Sequence, residues 1–366
     1  MTTQQSRFQT LFNTRLPLIQ APMAGAQDHR MAVAVCNAGG LGSLPAAMLS
    51  LDALRTELAQ ICAQTDRPYN VNFFVHTPPV FNEARETAWR AALKPYYDEF
   101  SDELGLDVNN IPTGPGRAPF THEAADVLEA FKPPVVSFHF GLPAPDLLDR
   151  VRRWGSKIIA SATTVQEALW LESQGVDAVI AQGLEAGGHR GHFLTPDIGF
   201  DLSQQLGTFA LLPQIVQAVR VPVIATGGIV DAQGVAAALS LGAAMAQVGT
   251  AYLLCPEALT SAVHRAALKS PAAAHTALTN LFTGRPARGI VNRLVRELGP
   301  ISTAAPAFPL ATGAIAPLRA AAEKTGSGDF TPLWSGQNAS GCREIGAAEL
   351  TRALMVGLDA AKTNVA

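Results

Sequence analysis

The densest chemistry in the sequence lies in Ala181-Gln-Gly-Leu-Glu-Ala-Gly-Gly-His-Arg-Gly-His192, where two histidines stand among closely spaced glycines. Glycine lets a backbone wrap tightly round a ligand, and an imidazole of ordinary pKa near ~6.5 can take a proton from a carbon acid at neutral pH. A flexible surface loop is the plain alternative, although such a loop has no need of this combination. His189 is the first choice as base. His192 is the reserve, and lines the substrate if it is not the base. A third histidine, His139, ends Val135-Val-Ser-Phe-His-Phe-Gly141 and reads as a residue lining the site rather than as the base.

Phosphate chemistry is signalled further on. Val223-Ile-Ala-Thr-Gly-Gly-Ile-Val230 carries the pair Gly227 and Gly228, and Ala246-Gln-Val-Gly-Thr-Ala251 carries Gln247, Val248, Gly249 and Thr250, one helix later. Two glycine turns after successive strands offer backbone N–H groups to phosphate oxygens, with a helix N-terminus adding a favourable field. Walker, Rossmann, zincin and nucleophile-elbow motifs are all absent, so the phosphate is expected to belong to a cofactor held by the fold itself. Two earlier runs complete the candidate set. Gln20-Ala-Pro-Met-Ala-Gly25 lets a planar ligand approach the backbone of Met23, and Asn70-Val-Asn-Phe-Phe74 places Asn72 near a strand end, where a buried amide needs a polar partner.

These residues need a scaffold that brings strand ends together. Between Leu16 and Leu254, short β-branched runs alternate with longer segments of helical period. Eight strands are expected: 17–22, 42–45, 69–75, 135–140, 157–162, 178–182, 221–225 and 246–250. Helices fall between them, one opened by the capping box Thr164-Val-Gln-Glu167. This rhythm predicts an α/β fold, a (β/α)8 TIM barrel, with an open doubly wound sheet as the alternative. Residues 1–255 are expected to form the barrel, interrupted at 76–120 by an excursion with a short helix of its own. Residues 256–366 are expected to supply the final barrel helix and a mostly helical, substrate-covering segment, with helices near 257–269, 271–282, 311–323 and 347–361.

Composition sets the limits. Hydrophobic residues make up 48% and charged residues 16%, enough for a large interior of strands buried on both faces. A formal net charge of -3 with scattered arginines gives no field for nucleic acid. The four cysteines show neither a C-x-x-C pair nor metal-ligand spacing, so no metal is expected and reduced cytoplasmic thiols are. The first residues lack an apolar signal core and no stretch is long enough to span a bilayer.

In order and spacing, QAPMAG, VNFF, Val135 to Gly141, AQGLEAGGHRGHF, VIATGGI and AQVGTAYL, with the later FTGRPARG and LWSGQ, resemble the nitronate monooxygenase family over nearly the whole chain. The resemblance implies an FMN-binding barrel with an added helical domain. It implies flavin contacts at Met23, Asn72, Gln182, Gly187, Gly228 and Gln247 to Thr250, and His189 as catalytic base. It also implies a nitronate and O2 as partners, with a carbonyl compound and nitrite or nitrate as products; a monomer or homodimer is expected. The first motif departs from the family in reading PMAGAQ where many members carry a further glycine. Two rival readings remain: an FMN-dependent NAD(P)H reductase of the enoyl-ACP or quinone type, and a flavin-free protein acting on a phosphorylated metabolite.

Overall fold

The computed structural model describes residues 11–104, 107, 108, 111, 117–195, 197–199 and 202–356, without the side chains of 101–104. Eight parallel strands form the central sheet: β1 (Leu18–Gln20), β2 (Gly42–Pro45), β3 (Tyr69–Phe74), β4 (Val135–His139), β5 (Lys157–Ala162), β6 (Ala178–Gln182), β8 (Val223–Thr226) and β9 (Met245–Val248). Each strand neighbours the next in sequence, and β1 pairs with β9. A parallel bridge between Ile19 and Leu41 joins β1 to the start of β2 and closes the ring. The TIM barrel expected from the alternation is thus the fold.

Helices follow the strands as the caps dictate. Asp28 caps α1 (His29–Ala38), Ser50 caps α2 (Leu51–Gln64), Thr121 caps α4 (His122–Phe131) and Asp231 caps α8 (Ala232–Ser240), each accepting from a first-turn N–H. Between the last two lie α5 (Pro145–Arg153), α6 (Val165–Ser173) and α7 (Thr208–Ala218). At α6 the Thr164 hydroxyl accepts from Glu167 N as expected, but the Glu167 carboxylate does not return to the Thr164 N–H. It accepts instead from Thr163 N at 2.7 Å and from Phe193 N at 2.5 Å, tying α6 to the loop after His192.

Two cores organise the barrel. Its lumen is filled by Ile19, Leu41, Val135, Ile159, Ile180 and Ile224, while the larger core lies between strands and helices.

The excursion differs from expectation. Its helix, α3 (Glu83–Leu104), is 22 residues long and packs on α11 (Thr312–Lys324) rather than on the barrel. Trp89, Leu93 and Tyr97 join Ile315, Leu318 and Phe330 in a separate core, with Trp89 Nε1 donating to Ala311 O and Tyr97 OH to Ala314 O. The tail is also less helical than its composition suggests. Beside α9 (Ala262–Leu268), α10 (Arg293–Leu298) and α12 (Ala347–Ala353), the expected helix at 271–282 is a short 3-10 turn followed by strand β10 (Thr276–Thr279). β10 pairs antiparallel with β11 (Ala287–Ile290), which pairs with β7 (Gly188–His189), so Ala-Leu-rich composition gives way to tertiary pairing. The last residues of the expected helix 347–361 lie outside the described residues. Among the described residues no helix is long and apolar enough to cross a membrane.

Candidate active site

The loop after β6 is held from beneath by Arg190, which is fully buried. Its guanidinium donates to Gly183 O at 2.6 Å, Gln182 O at 2.8 Å and Gln205 Oε1 at 2.9 Å, so the curve of the loop is fixed by one side chain. Burial lowers its pKa to about 9, which leaves it charged at neutral pH. Gln182 bridges the loop's mouth, donating Nε2 to His189 O at 3.0 Å and accepting from Gly191 N at 2.7 Å. Both polar ends of Gln182 are thus used by the protein, and its amide fixes the loop beside the ligand space.

His139 donates Nε2 to that same His189 carbonyl at 3.1 Å, and its Nδ1 accepts from Ser161 Oγ at 2.9 Å. Burial, with Arg285 nearby, pushes its pKa down to about 3, so the ring is neutral and both nitrogens are occupied. His189 itself hydrogen-bonds through Nε2 to Thr283 Oγ1 at 3.0 Å. Phe74, Phe140, Phe308 and Trp334 surround its ring, with centroids 5.9, 5.9, 5.3 and 5.6 Å away. Burial, then the charges of Arg117 and other neighbours, holds its pKa well below the usual histidine value. The imidazole that lines the cavity is therefore neutral.

The cavity opens at the carboxyl ends of the barrel strands, with His189, His139, Met23, Asn72, Gly187, Gly228 and Thr250 on its wall. At Gly187 a Cβ would lie 2.6 Å from Gly336 N and 2.7 Å from Ser335 C, so the approach of the Leu333 to Gln337 run to the loop requires glycine there. Gly227 and Gly228, which line the cavity, have φ of +118° and +71°, in the left-handed region that favours glycine. Gln247 Oε1 lies buried without a partner, although Gln247 lines the cavity. Such an orphan acceptor is costly unless a ligand donor meets it.

The other expected residues differ in what they offer the cavity. Met23 lines the cavity, but its N–H donates to Gln27 Oε1 at 3.0 Å. Asn72 donates Nδ2 to Ser137 Oγ at 2.9 Å, which leaves its carbonyl oxygen for a ligand. The Val248 side chain is buried in the barrel core, so only its neighbours reach the cavity. His192 is not brought to His189: it lines a separate recess with Glu167 and Gln205, its Nε2 donating to Ile198 O at 2.8 Å.

Sequence reading missed the charges. Arg117 lines the cavity and donates to Thr312 Oγ1 at 2.9 Å, its pKa lowered to about 10 by burial and by Arg319. Arg285 sits behind the wall, 3.8 Å over the Phe140 ring, and burial lowers its pKa to about 9. Neither is ion-paired among the described residues. Arg117 follows a stretch of sequence without periodicity, and nothing local in the sequence marks it. Phe308 and Thr283 are equally silent in sequence, since each reaches His189 only through the fold. Among the described residues no group of three His, Cys, Asp or Glu could hold a metal ion.

A closed parallel barrel with a cation-bearing cavity at the carboxyl ends of its strands defines a barrel enzyme, since that rim is where such folds place their chemistry. The nitronate monooxygenase family model matches residues 5–357, and the chain belongs to that family as one of its enzymes. A nitronate monooxygenase of Pseudomonas aeruginosa is 41% identical over 350 residues, covering 95% of this chain and 98% of the relative. Another from Paraburkholderia phytofirmans is 42% identical, covering 92% and 91%. A solved nitroalkane oxidase from Streptomyces ansochromogenes superposes with a TM-score of 0.87 at 39% identity, covering 98% of this chain and all of that one. FabK from Thermotoga maritima shares the fold at a TM-score of 0.72 and 24% identity.

Proposed function

We propose that this enzyme oxidises alkyl nitronates with O2, using FMN, to carbonyl compounds and nitrite or nitrate, and that His189 is the base when the substrate arrives as a neutral nitroalkane. The observation that carries this reading is a neutral imidazole at one aromatic-walled cavity that Arg117 also lines, with no ion pair to that guanidinium among the described residues. A half-buried guanidinium with no ion pair among the described residues favours an anionic ligand, so the Arg117 side of the cavity suits negative charge. A nitronate is such an anion, and nitronate monooxygenases are this chain's relatives.

The residues present fit a flavin mononucleotide. Gly227, Gly228, Gly249 and Thr250 would hold the phosphate, and Gln247 Oε1 and the Asn72 carbonyl await donors on its polar part. Bound there, FMN supplies the electron-transfer and O2 chemistry that no side chain of the site can. The chain's own part is protonic and electrostatic. His189 takes the α-proton of a nitroalkane, the C–H electron pair passes onto the nitro group, and Arg117 stabilises the resulting anion from the cavity wall while Arg285 contributes its field from behind. A preformed nitronate needs no proton removal, so His189 then only orients it.

The test is a visible spectrum of the purified protein, then oxygen uptake with propionate 3-nitronate and with NADH. A flavin spectrum with nitronate-dependent uptake is expected. Fast anaerobic bleaching by NADH would instead favour the reductase, and colourless protein a flavin-free one. Replacing His189→Asn is expected to lower nitroethane oxidation by ~10²–10⁴, the usual contribution of a positioned base, and to affect ethylnitronate far less. Equal loss of both activities overturns the base role.

A further inference from the structure

The hydrogen bonds around His189 decide which of its nitrogens is free to react. Nε2 lies 3.0 Å from Thr283 Oγ1, and that hydroxyl lies 3.2 Å from Arg285 O. A carbonyl only accepts, and a hydroxyl has a single proton. Once Thr283 donates to Arg285 O, it can only accept from His189, so Nε2 must carry the hydrogen. The reverse arrangement would strand the Arg285 carbonyl, which accepts no other side-chain or turn hydrogen bond among the described residues. Nδ1 then holds the lone pair. No group of the protein bonds it among the described residues, and it is not sealed among the buried unpartnered atoms, so it opens to the cavity that His189 lines.

Thr283 is itself held firmly. It is 2% exposed, in the turn between β10 and β11. The next residue, Gly284, has φ +88°, donates its N–H to Asn280 O at 2.7 Å, and could accept no Cβ without meeting Pro306 O. The His189 carbonyl is clamped independently by Gln182 and His139. Both ends of the residue are therefore fixed by groups that do not touch one another's hydrogen bonds.

We infer that Thr283 is a positioning residue that locks His189 in the Nε2–H form and makes Nδ1 the atom that accepts the substrate proton. This rests on the reading of His189 as base. In the step itself the α C–H bond breaks, an Nδ1–H bond forms, and the electron pair remains with the substrate as its nitronate. The imidazolium so formed keeps donating Nε2–H to Thr283, and the nitronate beside it offsets the new charge.

The test uses the purified flavin-loaded enzyme and the variants Thr283→Val, which keeps the shape, and Thr283→Ser, which keeps the hydroxyl. With ¹⁵N-labelled histidine, the His189 resonances are assigned by their loss in His189→Asn. A protonated, pyrrole-type Nε2 and a pyridine-type Nδ1 are expected in the wild type and in Thr283→Ser, with a mixture of tautomers in Thr283→Val. The ratio of nitroethane to ethylnitronate kcat/KM is expected to fall at least roughly tenfold in Thr283→Val, part of what a positioned base supplies, and to recover in Thr283→Ser. A pyridine-type Nε2 in the wild type overturns the proposal, as does an unchanged ratio in Thr283→Val. Failure of the base reading looks different: His189→Asn would then change nitroethane and ethylnitronate activity equally, whether by loss or by retention of both, while the tautomer spectrum stood as expected.

Discussion

Two histidines of this site show how neighbours set a residue's role. His139 and His189 are both neutral, yet His139 spends both nitrogens on Ser161 and the His189 carbonyl, whereas His189 keeps one nitrogen for the cavity. Among the residues that sequence could not supply is Arg117, a cavity-lining cation bonded to a neutral hydroxyl. Its replacement gives a direct prediction. Arg117→Met is expected to raise KM for ethylnitronate by roughly 10- to 100-fold, the value of a hydrogen bond to a charged group at about 1.5–3 kcal/mol. Steady-state kinetics with flavin content measured in parallel checks it, and an unaltered KM would remove Arg117 from anion binding.

At the scale of elements, the site depends on a small sheet that joins three distant pieces of chain. β7 carries His189, β11 pairs Ala287 with it, and a bridge from Gly289 to Trp334 brings in the Leu333 to Gln337 run. Arg190 supports this sheet from the barrel side. Arg190→Met should leave the Gly183 and Gln182 carbonyls without these donors, at about 1–3 kcal/mol for each buried group left unsatisfied. A lower urea midpoint with an unchanged m-value is the expected result, and an unchanged midpoint would show that the loop does not rely on it. Gly187→Ala tests the other side of the same junction. A Cβ forced against Gly336 N and Ser335 C is expected to lower both the melting temperature and flavin retention, read by thermal melts with and without added FMN.

Across the whole molecule, buried neutral histidines set an acid limit to stability. His76 and His264 have pKa values lowered to about 4 and His139 to about 3, all chiefly by burial. The unfolded chain takes up protons near ~6.5 that the folded one refuses, so folding is favoured above that pH and weakens as pH falls from ~6.5 toward about 4. At pH 5 His139 and His264 are each expected to cost up to about 2 kcal/mol relative to pH 7.5, and His76, which solvent screens more, less than that. Thermal melts across that range check it, with His264→Gln expected to flatten the slope; a pH-independent melting temperature would contradict it. Much of this architecture was legible beforehand. Alternating β-branched and helical runs located all eight barrel strands, because strand period, caps and glycine turns are properties of neighbours in sequence. The sequence by itself likewise determined that His189, Gly187, Gly227, Gly228, Gln247 and Thr250 should meet at one rim, since strand ends in a barrel converge. Only the tertiary structure decided that the 271–282 segment contains a strand, that α3 belongs with α11, that His192 turns aside, and that Arg117 and Thr283 face the site. His189 meets Thr283 across 94 residues and Arg117 meets Thr312 across 195, and contacts over such separations leave no periodic mark on either partner because each exists only once the two barrel-side and tail-side cores have packed.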